Sequence, residues 1–129
     1  MMDNADQHVL IAEDTAVLAL MLRRTLQRAG FTVTIAKNGR EAWDKAQSIG
    51  FDAIVTDQQM PEMTGTELCE QLRQLQGYAH TPVIMITAKA YELDLTRVRE
   101  ELNIWAIFAK PFSPTSVQRA LEKCVSISL

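Results

Sequence analysis

The stretch Phe51-Asp52-Ala53-Ile54-Val55-Thr56-Asp57-Gln58-Gln59-Met60-Pro61-Glu62-Met63-Thr64-Gly65 changes character halfway along. Residues 51–57 (FDAIVTD) form a short, mostly apolar run, which suits a strand buried on both faces. Asp57 closes that run. Met60-Pro61 then marks a loop, because proline supplies no backbone donor to a helix or a ladder. Beyond the loop, Leu68, Leu72 and Leu75 line one side of a helix.

The same strand-then-helix unit recurs on either side. Toward the N-terminus, residues 8–13 (HVLIAE) read as a buried strand and residues 15–29 as a helix. Its expected inner stripe is Leu18, Met21, Leu22, Leu26 and Ala29, and Gly30 stands where a helix end wants a left-handed residue. Residues 31–36 (FTVTIA) are rich in β-branched side chains and form the next strand. Asn38 caps a helix that ends near Gly50, with Ala42, Ala46 and Ile49 facing inward. Toward the C-terminus, residues 82–87 (PVIMIT) form a strand, and Leu95, Val98 and Leu102 mark a helix. Residues 104–109 (IWAIFA) form a last strand. Ser113-Pro114 starts a last helix, an N-cap followed by proline at the first helical position. Val117, Ala120, Leu121, Cys124 and Val125 form its stripe.

Five β-α units in strict alternation argue for an α/β fold: a parallel five-stranded sheet with helices on both faces. The expected architecture is a single (βα)5 flavodoxin-like, doubly wound domain with strand order 2-1-3-4-5. It is expected over residues 8–126, after a flexible N-terminal segment of residues 1–7. The chain stops shortly after the fifth helix, so no second domain is expected within it. The paired Met1-Met2 reads as a natural start, which puts any missing partner domain on the C-terminal side.

Composition narrows the function. The 129 residues carry a net charge of −3, with 47% hydrophobic and 22% charged residues. That is ordinary globular usage, and without a basic stripe it speaks against direct nucleic-acid binding. No apolar run approaches a membrane span, and the polar N-terminus lacks the features of a signal peptide. Cys69 and Cys124 are expected as buried thiols in a reducing cytoplasm.

In a sheet of this order, ligands bind at the C-terminal strand ends beside the point where the order reverses. Strand one ends in Glu13-Asp14, strand three in Asp57, strand four in Thr87, and strand five runs into Lys110. Taken singly, Asp14 reads equally as a helix cap, Thr87 as a strand-end residue and Lys110 as a solvated lysine. Taken together, they put three carboxylates, a hydroxyl and an ammonium in one cluster. Each like-charge pair at ~4 Å costs about 4 kcal/mol at an effective dielectric of roughly 20. Lys110 offsets one charge, and a divalent cation such as Mg²⁺ would offset two. A carboxylate beside Mg²⁺ and a lysine is a plausible acceptor of a phosphoryl group.

Glu13-Asp14, the segment D-Q-Q-M-P-E-M-T-G from Asp57, Thr87-Ala88 and Lys110-Pro111-Phe112 together resemble the receiver domain of two-component response regulators. The resemblance spans about residues 8 to 125. It implies a phosphorylation-dependent switch in which Asp57 accepts a phosphoryl group from a sensor histidine kinase or a histidine phosphotransfer protein. It implies that Asp14, Asp57 and the backbone carbonyl of Gln59 bind Mg²⁺, with Glu13 acting mainly through a metal-bound water. It also implies that Lys110 binds a phosphate oxygen, that Thr87 swings to hydrogen-bond the phosphate, and that the Lys110-Pro111 bond is cis. A downstream protein target or output domain would read the change. Gln59 and Lys89 sit where such domains tune the lifetime of the acyl phosphate.

One position departs from the pattern. The aromatic residue usual three places before the lysine is Ile107 here, and Phe108 follows it, on the opposite face by strand alternation. The usual route of output is thereby in question, and phosphorylation is not. His8 and His80 are expected at polar surface sites, and Trp43 and Trp105 in packing. Ala16, Val17, Ala19 and Leu20 give the outer side of helix one an apolar character, suited to a partner helix or to a covering element. Two other classes were weighed. A Mg²⁺-dependent phosphohydrolase wants an acid two residues after its nucleophile, where this chain has Gln59. A phosphorylation-independent interaction module has no need of the full residue set.

Overall fold

A computed structural model describes residues 7–89 and 95–128, with side chains through residue 126. Its elements alternate as β1 (His8–Ala12), α1 (Ala16–Arg28), β2 (Thr32–Ala36), α2 (Gly39–Ser48), β3 (Ala53–Asp57) and α3 (Gly65–Arg73). A 3-10 turn (Gln76–Tyr78), β4 (Val83–Thr87), α4 (Leu95–Leu102), β5 (Ala106–Ala109) and α5 (Pro114–Ser128) follow. The strands are parallel and lie in the order β2-β1-β3-β4-β5. The fold class and strand order are those expected. The expected N-terminal segment lies outside the described residues except for Gln7.

The pleat divides the core into two layers. Val9 and Ile11 of β1 face α1 and α5, with Leu22, Leu26, Val117 and Leu121. Leu10 and Ala12 face the other way, with Ala42 and Ala46 of α2 and Leu68 and Leu72 of α3. The central strands are buried on both faces, as continuous apolar runs require.

Local signals set the helix ends. Asn38 Oδ1 accepts from Glu41 N at 2.8 Å, and Ser113 Oγ accepts from Ser116 N at 3.3 Å. Thr64 and Glu67 form a reciprocal capping box at the start of α3. Gly30 has φ 100, the left-handed conformation that lets α1 end and β2 begin.

β1 begins at His8 as read, and β2 to β5 begin one or two residues later than their apolar runs, because pairing and hydropathy mark different boundaries. Three other readings are corrected. Ile49 is exposed: α2 ends at Ser48, Ile49 is extended, and its side chain leaves the inner stripe. Met21 is 45% exposed, whereas Ala19 is 2% exposed and packs inward with Leu22 and Leu26. Residues 16–22 are all apolar, so periodicity alone could not orient α1 there. The residue that precedes α1 as its N-cap is Thr15 rather than Asp14.

His8 is half-buried, hydrogen-bonded through Nε2 to Thr34 Oγ1 at 2.6 Å and edge-on to Phe51, while His80 is exposed. Trp43 and Trp105 pack on opposite layers, and both cysteines are buried and free.

Gly65 holds α3 against the end of β3. A Cβ there would lie 2.5 Å from the Asp57 carbonyl oxygen, a backbone atom that cannot swing aside. Gly65→Ala should therefore lower stability by about 1–3 kcal/mol in urea denaturation, as forced overpacking does.

Candidate functional site

Strand register brings the chemistry together. Asp57 is the last residue of β3, which pairs with β1 on one side and β4 on the other. Glu13 follows β1 directly and still donates its backbone N–H to Ala36 at 3.0 Å. Lys110 follows β5, with its N–H on the carbonyl of Thr87 at 2.9 Å. Glu13, Asp57, Thr87 and Lys110 thus emerge from ladder-bonded backbone.

Carboxylate oxygens of Glu13, Asp14 and Asp57 lie within 4.8 Å of one another. Glu13 and Asp57 are 3% and 2% exposed, and Asp14 stands at the open side. Lys110 Nζ is 3.1 Å from Asp57 Oδ2 and 3.4 Å from Glu13 Oε1. Asp57 Oδ1 and Glu13 Oε1 are buried without a hydrogen-bond partner. Buried carboxyl oxygens left this way are costly, and an all-oxygen donor set fits a hard divalent cation.

Burial pushes the Glu13 carboxyl up to about 7, and the neighbouring charge of Asp57 adds to the effect. Burial pulls the Lys110 ammonium down, but its hydrogen bond to Asp57 and the charges of Asp57 and Glu13 outweigh that and leave it above its ordinary value. Lys110 is therefore a fixed positive charge at neutral pH.

Thr87 is fully buried and does not stand alone. Its Oγ1 accepts from Gln59 Nε2 at 2.9 Å and from Lys89 N at 3.0 Å. Gln59 Oε1 accepts from Ala88 N at 3.2 Å. Gln58 Oε1 meanwhile accepts from Thr66 N at 2.7 Å and Thr66 Oγ1 at 2.9 Å, tying the loop to α3. The sequence points to Gln59 for its backbone carbonyl and as a lifetime-tuning position, and not to these side-chain hydrogen bonds of Gln58 and Gln59. A glutamine pair after an acid carries no signal about its partners, which lie on other elements.

The Lys110-Pro111 peptide is cis, as expected. Ile107 packs toward the α2–α3 layer and Phe108 toward the α1–α5 layer, so no aromatic side chain of β5 occupies the Ile107 face. A cavity of about 460 Å³ beside the lysine is lined by Leu18, Met21, Lys110, Pro111 and Phe112.

Fold and site together define a class of protein, a phosphorylation-dependent signalling switch on a doubly wound sheet. Residues 9–122 match the response regulator receiver domain, and the chain belongs to that family. It is 36% identical over 117 residues to the alkaline phosphatase synthesis transcriptional regulatory protein PhoP of Bacillus subtilis, covering 91% of this chain and 48% of PhoP. The chain spans about half the length of the first curated relatives it matches. Its structure resembles the chemotaxis response regulator CheY4 of Vibrio cholerae, with TM-score 0.83 and 33% identity over 91% of this chain and 97% of that one. It also resembles the receiver domain of sensor histidine kinase PA1611 from Pseudomonas aeruginosa, solved with a magnesium ion in its active site cleft. There the TM-score is 0.83 and the identity 27%, over 93% of this chain and 98% of that one. Receiver domains pair with histidine kinases and output partners, and they are switches rather than classical enzymes.

With divalent ions chelated, Glu13 should govern stability around neutrality. Its folded pKa of about 7 lies above the ordinary value of 4.5, so the folded state binds the proton more tightly. That contribution is full below about 4.5 and is lost as pH rises through about 7. Denaturation at pH 5 and pH 8 should show a loss on the order of 3 kcal/mol from this group. Glu13→Gln should flatten the slope, and an unchanged slope in that variant would assign it to another group.

Proposed function

We propose that Asp57 accepts a phosphoryl group from a phosphohistidine of a sensor histidine kinase or histidine phosphotransfer protein. The observation that carries this reading is the pairing at Asp57 itself: Oδ2 lies on Lys110 Nζ at 3.1 Å, and Oδ1 is buried and unpartnered. Oδ1 attacks phosphorus, the P–N bond breaks, and the imidazole leaves with the electron pair and picks up a proton. Lys110 neutralises an equatorial phosphoryl oxygen, and Thr87 donates to another.

Asp14, Asp57 and the backbone carbonyl of Gln59 would hold Mg²⁺, with Glu13 contacting it through water. The clustering of Glu13, Asp14 and Asp57 carboxylate oxygens within 4.8 Å supports this assignment, as does the magnesium-bound receiver domain of PA1611. When bound, the ion supplies positive charge against the phosphoryl oxygens. The same residues would support the later loss of the phosphoryl group to water.

The functional unit on this reading is the domain over residues 8–126. Phosphodonor docking is assigned to α1, where Val17, Leu20 and Met21 are 66%, 49% and 45% exposed next to the cavity beside Lys110. The readout is by a downstream protein target or an output domain. The net charge of −3 supports a domain that does not itself touch nucleic acid. A cytoplasmic location is supported by two buried, free cysteines. Among the described residues, no helix is long and apolar enough to cross a membrane.

Incubation with a small phosphoramidate donor and Mg²⁺ should add one phosphoryl group by mass. The addition should fail with a chelator and vanish in Asp57→Asn. Labelling that persists in Asp57→Asn would place the acceptor elsewhere.

A further inference from the structure

A hydroxyl has one proton to give and two lone pairs to fill. At Thr87 all three are in use. The lone pairs accept from Gln59 Nε2 at 2.9 Å and Lys89 N at 3.0 Å, and the proton points to Gln59 Oε1 at 3.3 Å. The side chain is fully buried, so water does not compete for these positions. Gln59 Oε1 also accepts from Ala88 N at 3.2 Å. A single carboxamide therefore holds both the Thr87 hydroxyl and the first backbone amide after β4.

We propose that the Gln59 carboxamide is a latch that holds Thr87 and the start of the following loop in the resting arrangement, and that its release transmits phosphorylation. The inference rests on Asp57 as the phosphoacceptor. Asp57 lies opposite Ile86 in the β3–β4 register, one residue from Thr87, and Gln59 lies two residues beyond Asp57. A phosphoryl group offers only acceptor oxygens at this site. Thr87 can meet it solely with the proton now directed at Gln59. Hydrogen bonds to charged acceptors are roughly twice as strong as neutral ones, so the phosphoryl oxygen wins that proton. Gln59 then loses its hold on Thr87, and Ala88 loses the fixed position of its acceptor. Gln59 is in this sense a positioning residue, acting through its side chain and independently of its backbone carbonyl.

Amide exchange and ¹⁵N spectra at Ala88 and Lys89 test the latch. In unphosphorylated Gln59→Met, Ala88 should exchange about tenfold faster, as loss of one hydrogen bond allows. Its resonance and that of Lys89 should move along the line joining resting and phosphorylated wild type. Gln59→Glu keeps the acceptor and should retain the slow exchange of Ala88. Adding Thr87→Val to Gln59→Met should not speed Ala88 exchange further, since the two act as one unit at that amide. Wild-type exchange and peak positions in Gln59→Met, or fully additive effects in the double variant, would overturn the proposal. If Gln59→Met does not fold, Thr87→Val alone should speed Ala88 exchange at least threefold, and no change there overturns the latch equally. Absence of phosphoryl mass on the wild type would sink the acceptor assignment instead, and Ala88 exchange in unphosphorylated protein would still judge the latch.

Discussion

Three carboxylates of one pocket, two of them buried, face one ammonium, and the rest of the domain is arranged around that imbalance. Glu13, Asp14 and Asp57 crowd within 4.8 Å, while Lys110 reaches two of them. Each acid pair at such range opposes folding by about 4 kcal/mol before screening. A single lysine cannot cancel three such pairs. Burial, with the charge of Asp57 added, lifts Glu13 toward neutrality, and Asp57 Oδ1 is left buried without a hydrogen-bond partner. A site held in this state favours added positive charge.

The scaffold tolerates the strain because backbone ladders hold the two buried acids. Glu13 and Lys110 are pinned by hydrogen bonds to neighbouring strand ends, and Asp57 sits in the middle of the sheet. The carboxylates cannot drift apart without breaking parallel pairing. The two apolar layers resist that from both faces. Gly65 adds a close approach of α3 to the Asp57 carbonyl, so the backbone of Asp57 is fixed from that side as well.

Beyond the pocket, the two sides of β5 diverge: Ile107 packs with the α2–α3 layer, and Phe108 is committed to the opposite layer. The bonds that do leave Thr87 run to Gln59 and to the amide of Lys89. Arg73 separately ties α3 to the far end of α4, donating to the carbonyls of Leu102 at 2.9 Å and Asn103 at 3.2 Å. That end of α4 is thus anchored.

Alternation of apolar runs and helical stripes was enough to read five β-α units, the parallel sheet and its order. Those features rest on hydropathy and turn chemistry, which are local. The acids at 13, 14 and 57 and the lysine at 110 were legible for a related reason: the fold class says where strand ends meet. The inward face of α1 was not legible, because seven consecutive apolar residues carry no period, and the sheet with α5 selected Ala19 over Met21. The hold of Gln59 on Thr87 was also beyond reach, since those residues stand 28 apart in sequence and meet only through β3–β4 pairing. The raised pKa of Glu13 was a third such case. Burial depth and charge separation set it, and both come into existence only when the chain is folded.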